Sequence, residues 1–226
     1  MTGERKVVKA EPKEIYDVEL EEDLLQANRE LAEENRRLLA EYGVKAIDVM
    51  GCIGSGKTTL IDQMVRRLKS RYRIAVFKGD VTTTIDTDII ARHGVETVQI
   101  NTGKECHLDA NLVKKALVKL DLKSVDLLFI ENVGNLICPA DFPLGSETKV
   151  VVVSVTEGPY MVIKHPLIFM DADVVVINKL ELAEAMKVDA DRLEEDVRKV
   201  NPKAMVVKTV CRDGAGVDMV ADALNI

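Results

Sequence analysis

Three groups of residues in this 226-residue chain could do chemistry. The first, Gly51-Cys52-Ile53-Gly54-Ser55-Gly56-Lys57-Thr58, fills every fixed position of the phosphate-loop pattern G-x-x-x-x-G-K-[ST]. Glycines let successive backbone N–H groups turn toward an anion with no Cβ in the way, so Gly54, Ser55 and Gly56 form a cradle for phosphate oxygens. Lys57 would reach the β- and γ-phosphates and the Thr58 hydroxyl would ligate Mg²⁺. With Thr59, they open a helix whose N-terminus adds partial positive charge. The competing reading is a bare glycine turn between a strand and a helix.

The second group is acidic. Asp80 ends an apolar run at Lys78-Gly79-Asp80, followed by Thr82-Thr83-Thr84 with Asp86 and Asp88; Glu131 ends the run Val125–Ile130 in the form of a Walker B strand. Carboxylates at the carboxyl ends of strands stand where open α/β sheets bind ligands, so Asp80 and Glu131 are candidates for the Mg²⁺ shell or for orienting an attacking water. For Asp80 the alternative is an ordinary turn or cap acid. Further on, Asn178-Lys179-Leu180-Glu181 resembles the Asn-Lys-x-Asp motif with which GTPases read guanine. A carboxylate at its fourth position accepts from guanine N1–H and N2–H₂, whereas adenine offers no such donors, so GTP is favoured over ATP. Glu181 is one methylene longer than the usual Asp. Thr209–Gly216 lies where GTPases place a second base-contacting loop but matches that pattern poorly.

The third group is the soft donors Cys106, His107 and Cys138, a set suited to Zn²⁺ or Ni²⁺. Spacing alone leaves inert buried thiols as the alternative, because there is no C-x-x-C and three donors do not close a tetrahedral site.

The elements that must position these groups follow from periodicity. Val44–Met50 reads as the strand before the phosphate loop and Thr59–Leu68 as the helix after it. Further strands are expected at Arg73–Asp80, Val95–Ile100, Val125–Glu131, Lys149–Val155, Asp173–Ile177 and Ala204–Val210. Helices are expected at 109–120, near Pro166, at 189–200 and at 216–224. Strands alternating with helices call for an α/β fold of the P-loop NTPase kind, with a mainly parallel β-sheet covered by helices on both faces. Asn132-Val133-Gly134-Asn135 reads as a mobile loop closed by Cys138-Pro139. Residues 1–19 are expected to form a loose arm and residues 20–226 one domain that includes an N-terminal helix at about 20–42. In that helix Leu24, Leu31 and Leu38 stand seven apart, but Asn28 and Asn35 fall within the repeat. A helix laid against the domain is favoured over a dimer seam.

Composition bounds the function classes. With 31 basic and 38 acidic side chains, net charge −7 and no basic stripe with interleaved aromatics, nucleic acid is not an expected partner. No apolar stretch reaches membrane-spanning length and no signal-peptide core is present, so no membrane association and a cytoplasmic location are expected. Four scattered cysteines do not make a disulfide framework.

Taken together, the phosphate loop, Gly79-Asp80-Val81, Cys106-His107-Leu108-Asp109, Glu131–Pro139 and Asn178-Lys179 resemble the HypB hydrogenase maturation GTPases, from about residue 20 to the end. The related urease accessory GTPases carry a different Cys-Pro-His metal motif. The resemblance implies slow GTP hydrolysis, nickel delivery to [NiFe]-hydrogenase, and a homodimer favoured by nucleotide with Zn²⁺ or Ni²⁺ held between subunits by Cys106, His107 and Cys138. The hydrogenase large subunit and a second nickel-maturation factor are the partners it implies. The chain departs from some members: it has no Cys before Cys52 and only His93, His107 and His165, which does not suit high-affinity nickel storage. Cys52-Ile53 also stands where bacterial members commonly have Ser-Pro. The rival reading from another class is a small-molecule P-loop kinase, for which residues 139–148 offer no lid arginine.

Overall fold

The computed structural model describes residues 18–80, 89–103 and 105–226. Asp86 and Asp88, and most of the expected arm, lie outside them. Seven strands form one sheet: β1 Lys45–Gly51, β2 Ile74–Asp80, β3 Glu96–Asn101, β4 Leu127–Glu131, β5 Thr148–Ser154, β6 Val174–Asn178 and β7 Met205–Lys208. Their order is β3-β2-β4-β1-β5-β6-β7, and every pairing is parallel. Parallel strands need crossovers, and the helices supply them while covering both faces.

Alternation along the strands sorts side chains to the two faces. On one face Ile47, Val49, Val150, Val152, Val174 and Val176 pack with Leu60, Ile61, Met64 and Val65 of helix α2, Lys57–Leu68, and with Val217 and Val220 of the closing helix Val217–Ala223. On the other, Phe77, Leu128 and Ile130 meet Leu39 of helix α1, Val18–Glu41, and Val113 and Leu117 of helix α3, Ala110–Leu117. Val151, Val153, Val175 and Ile177 on that second face pack with Phe169, Leu193 and Val197. The runs of valine in β5 and β6 are therefore apolar throughout because neither face meets water.

Helix α1 lies against the domain, but its docking line is not the Leu24-Leu31-Leu38 repeat. Leu24 is 59% exposed, and the buried line is Asn28, Ala32, Asn35 and Leu39. Asn28 donates to the Pro143 carbonyl (2.9 Å) and accepts from Ala110 N–H (2.8 Å). Asn35 donates to the carbonyls of Ala110 (2.8 Å) and Leu144 (3.0 Å). Both amides that interrupt the heptad are thus the docking contacts. Around Pro166 the expected helix is two short ones, Met161–Lys164 and Pro166–Met170, with the proline where its missing N–H leaves no hydrogen bond unmade.

Candidate functional site

The phosphate loop leaves the carboxyl end of β1, the central strand, and turns directly into α2. Gly51 ends the strand at φ 147°, and a Cβ there would lie 2.3 Å from the Val152 carbonyl oxygen. Gly56 caps α2 at φ 106°, where a Cβ would lie 2.2 Å from Asn178 Nδ2. At these two positions only glycine fits, so the motif's glycines reflect close approach of neighbouring strands as well as room for phosphate. Lys57 folds back over the loop, donating to the carbonyls of Gly51 (3.0 Å) and Cys52 (2.9 Å), and burial pulls its ammonium below the ordinary lysine range. Burial, aided by Glu157, pushes the Cys52 thiol up to about 12, which keeps it protonated and unreactive.

The loop opens on a cavity of about 490 Å³ at the carboxyl ends of β1, β2 and β4. Gly54, Gly56, Lys57, Thr58, Thr59, Asp80, Glu131 and Lys179 line it, as do Asn132 and Gly134 of the expected loop and Lys78, which carried no role in the sequence reading. Thr58 Oγ1 donates to Glu131 Oε1 (2.7 Å), so the phosphate loop meets the Walker B acid. Glu131 is 1% exposed, and its Oε2 has no hydrogen-bond partner among the described residues. A buried carboxylate oxygen beside a threonine hydroxyl at a phosphate cradle fits a hard cation such as Mg²⁺ with its waters. Lys78 is in register with Glu131 on the adjacent strand, and its ammonium is paired with that carboxylate while donating to Thr58 Oγ1 (3.0 Å). Its trace in the sequence is a lysine inside the apolar run of β2.

The segment expected to read the base divides. Asn178 is buried: its Nδ2 donates to the Ser55 carbonyl (2.9 Å), and its Oδ1 accepts from Thr209 Oγ1 (3.0 Å) and Cys211 N–H (3.0 Å). Asn178 therefore joins the phosphate loop to the Thr209–Gly216 loop, which stands beside it despite its poor motif. Ser55 is fully buried, with its Oγ unpartnered among the described residues. Lys179 takes the left-handed conformation (φ 64°) and reaches the cavity, while Glu181 is exposed at the start of a short 3₁₀ turn.

Cys106, His107 and Cys138 converge: their donor atoms all lie within 4.8 Å of one another. The two sulfurs are 3.1 Å apart and unbonded, and Cys106 Sγ is 3.9 Å from His107 Nδ1. Two thiols and an imidazole suit Zn²⁺ or Ni²⁺. His107 packs on the Phe142 ring at 4.0 Å, and burial lowers its proton affinity, which leaves a neutral nitrogen to ligate. The Cys106 side chain beside it, with burial, raises the Cys138 thiol above its ordinary value.

The segment from Glu131 to Cys138, expected to be mobile, is instead packed and bonded. Asn132 is buried, and its Oδ1 accepts from the N–H groups of Leu108 (3.0 Å) and Val133 (3.0 Å). Gly134 lies so close to Ile53 of the phosphate loop that a Cβ would stand 2.3 Å from Ile53 Cγ1. Asn135 N–H donates to the Gly51 carbonyl (3.1 Å), its Nδ2 reaches the Cys106 carbonyl (3.4 Å), and its Oδ1 accepts from Ile137 N–H (2.9 Å). Leu108 fits because Gly79 has no Cβ: one there would be 2.8 Å from Leu108 Cγ. The polar residues that suggest mobility are occupied in holding this segment between the two sites.

Comparison with known proteins agrees with this fold and shows its family. The family model described as "CobW/HypB/UreG, nucleotide-binding domain" matches residues 45–208. A probable hydrogenase maturation factor HypB of Methanocaldococcus jannaschii is 49% identical, with 92% of this chain and 94% of that protein covered. Hydrogenase maturation factor HypB of Escherichia coli is 40% identical over 89% of this chain and 69% of its own length. Among solved structures, HypB of Archaeoglobus fulgidus superimposes with TM-score 0.83 at 45% identity, covering 88% of this chain and 98% of that one. HypB of Helicobacter pylori, solved in complex with nickel, gives TM-score 0.83 at 32% identity, with 88% and 94% covered. A LAO/AO transport system kinase at 14% identity and TM-score 0.54 shares the fold.

Proposed function

The chain belongs to the HypB hydrogenase maturation factors and carries their nucleotide-binding domain, and from that premise we propose that it is a GTP-hydrolysing metallochaperone that hands nickel to [NiFe]-hydrogenase. Nucleotide state, metal affinity and dimerisation are coupled in this reading.

Lys57 leaves the carbonyls of Gly51 and Cys52 to hold the β- and γ-phosphates, which accept from the N–H groups of Gly54, Ser55, Gly56, Lys57, Thr58 and Thr59. Thr58 and Asp80 hold Mg²⁺, whose charge offsets that developing on the phosphates. Glu131 orients the attacking water or a metal-bound one. Asn178 positions the base loop, Lys179 lies along the base, and Glu181 accepts from guanine. Cys106, His107 and Cys138 hold Ni²⁺ or Zn²⁺. Because Cys106 is exposed, that metal would lie at the surface, and in this reading a second copy supplies the donors one subunit lacks.

One observation carries the coupling: the segment that begins at Glu131 ends at Cys138, and between them it bonds both the phosphate loop, through Asn135 N–H and Gly51 O, and the Cys106–Leu108 loop, through Asn132 and Asn135. A shift of Glu131 toward Mg²⁺ and γ-phosphate would move three metal donors through this chain of hydrogen bonds. Linkage requires metal to change nucleotide affinity by the same factor. Titrating Ni²⁺ into protein loaded with GDP or with a non-hydrolysable GTP analogue, and following dimerisation by light scattering, tests this. Equal metal affinity and equal mass in both states would remove the coupling. Phosphate release without any added acceptor separates hydrolysis from kinase activity.

A further inference from the structure

Lys78 is a cation already seated among oxygens that a magnesium site needs. Its side chain is 7% exposed and Glu131's is 1%, and the two are bonded across adjacent strands. Thr58 gives its hydroxyl proton to Glu131 Oε1 (2.7 Å) and accepts from Lys78 Nζ on its oxygen (3.0 Å). One of the two lone pairs of the Thr58 oxygen is therefore engaged by an ammonium, which stands where a metal ligated by that oxygen would come. Two cations cannot share that position, because at a few Å like charges repel strongly even where the effective dielectric constant is about 20.

We propose that Lys78 is a tethered competitor of Mg²⁺: its ammonium and the metal exclude one another at Thr58 and Glu131, and Lys78 must withdraw when Mg²⁺ enters with nucleotide. This rests on the proposed reading in which Thr58 holds Mg²⁺ and Glu131 orients a water bound to that metal. The competitor sits on β2, two residues before Asp80, so it is always at hand. Its effect is to keep the buried Glu131 charge compensated and to make metal entry depend on the phosphates that arrive with it. Mg²⁺ alone should bind poorly, and its release after hydrolysis should be assisted by the returning lysine.

The test uses the full chain and a fluorescent GDP analogue. Wild type is first titrated with Mg²⁺ at fixed nucleotide; if nucleotide binding does not depend on Mg²⁺, the metal assignment falls and the inference with it. Given that dependence, Lys78→Met, which keeps the stem and removes the charge, should lower the Mg²⁺ concentration for half-saturation by on the order of tenfold or more. Mg²⁺ without nucleotide should also raise the melting temperature of the variant and leave wild type unchanged. An unchanged or higher half-saturation in Lys78→Met would overturn the competition. Should that variant not fold, the ¹⁵N resonance of the Lys78 ammonium in wild type decides. A shift or loss on adding Mg²⁺ with GDP, but not on adding GDP alone, supports displacement, and no change refutes it.

Discussion

Replacing Asp48 by Asn probes the polar residues behind the site most directly. Asp48 is buried in the middle of β1, and Asn132 Nδ2 approaches its Oδ1 at 3.4 Å. Burial pushes its carboxyl from an ordinary 3.8 up to about 7, against the opposing pull of the Asn132 amide and Lys149. At about 1.4 kcal/mol per tenfold change in proton affinity, keeping the ionised group inside above pH 7 costs roughly 4 kcal/mol as an upper figure, and about 2–4 in practice. The folded carboxyl holds its proton more tightly than the unfolded one. Below about pH 4 both are protonated and nothing is lost; between about 4 and 7 the unfolded chain ionises first and stability falls; above about 7 the loss is complete. Asn has the same shape, keeps an oxygen for Asn132 and never ionises. The variant should melt about 4–16 °C above wild type at pH 8, with the gap closing steadily as pH falls toward 4.5. Thermal melts across that range, on protein stripped of metal and nucleotide, provide the measurement. Parallel curves for the two proteins would refute the reasoning, because they would mean that Asp48 ionises in the folded protein at the same pH as in the unfolded chain.

Asn132→Ala leaves the buried N–H groups of Leu108 and Val133 without their acceptor, which should destabilise the fold by about 1–3 kcal/mol for each. Isothermal titration should also show Ni²⁺ affinity reduced by about 10–100-fold, as for loss of a residue that orients ligands, with GDP affinity nearly kept. Gly56→Ala forces a side chain into left-handed backbone 2.2 Å from Asn178 Nδ2, and nucleotide affinity should fall by about tenfold or more in a fluorescence titration; an affinity equal to wild type would count against the cradle. Cys106→Ser and Cys138→Ser should each abolish stoichiometric Ni²⁺ in equilibrium dialysis without lowering the melting temperature of metal-free protein, since Cys106 is exposed and Cys138 only half-buried.

Much of this was legible in the sequence where one residue type answers one local demand. The phosphate loop, the acids at the ends of β2 and β4, and the strand–helix alternation are set by spacing, and β1, β2, β4, β5 and β6 fall within a residue or two of the runs that mark them. Contacts between distant segments were not legible. Asn28 and Asn35 look like flaws in a leucine repeat until Ala110 and the Pro143–Leu144 carbonyls are seen opposite them. Asn132-Val133-Gly134-Asn135 looks loose because its composition is that of a turn, while its order comes from Leu108, Gly51 and Ile53, which lie elsewhere in the chain. Lys78 drew no role because strand register, which sets it beside Glu131, is a property of the sheet.

The bonding at Ala110 bears on how cargo could leave. Leu108 is held through its N–H by Asn132, and Ala110 is held through both its N–H and its carbonyl by α1, so the backbone just past His107 has almost no slack. A donor pair fixed so close behind cannot stretch outward to a distant acceptor. If the chain carries nickel there as proposed, handover would be an inner-shell exchange, with the recipient advancing its own ligands onto the Cys106 rim while the original ones let go in turn.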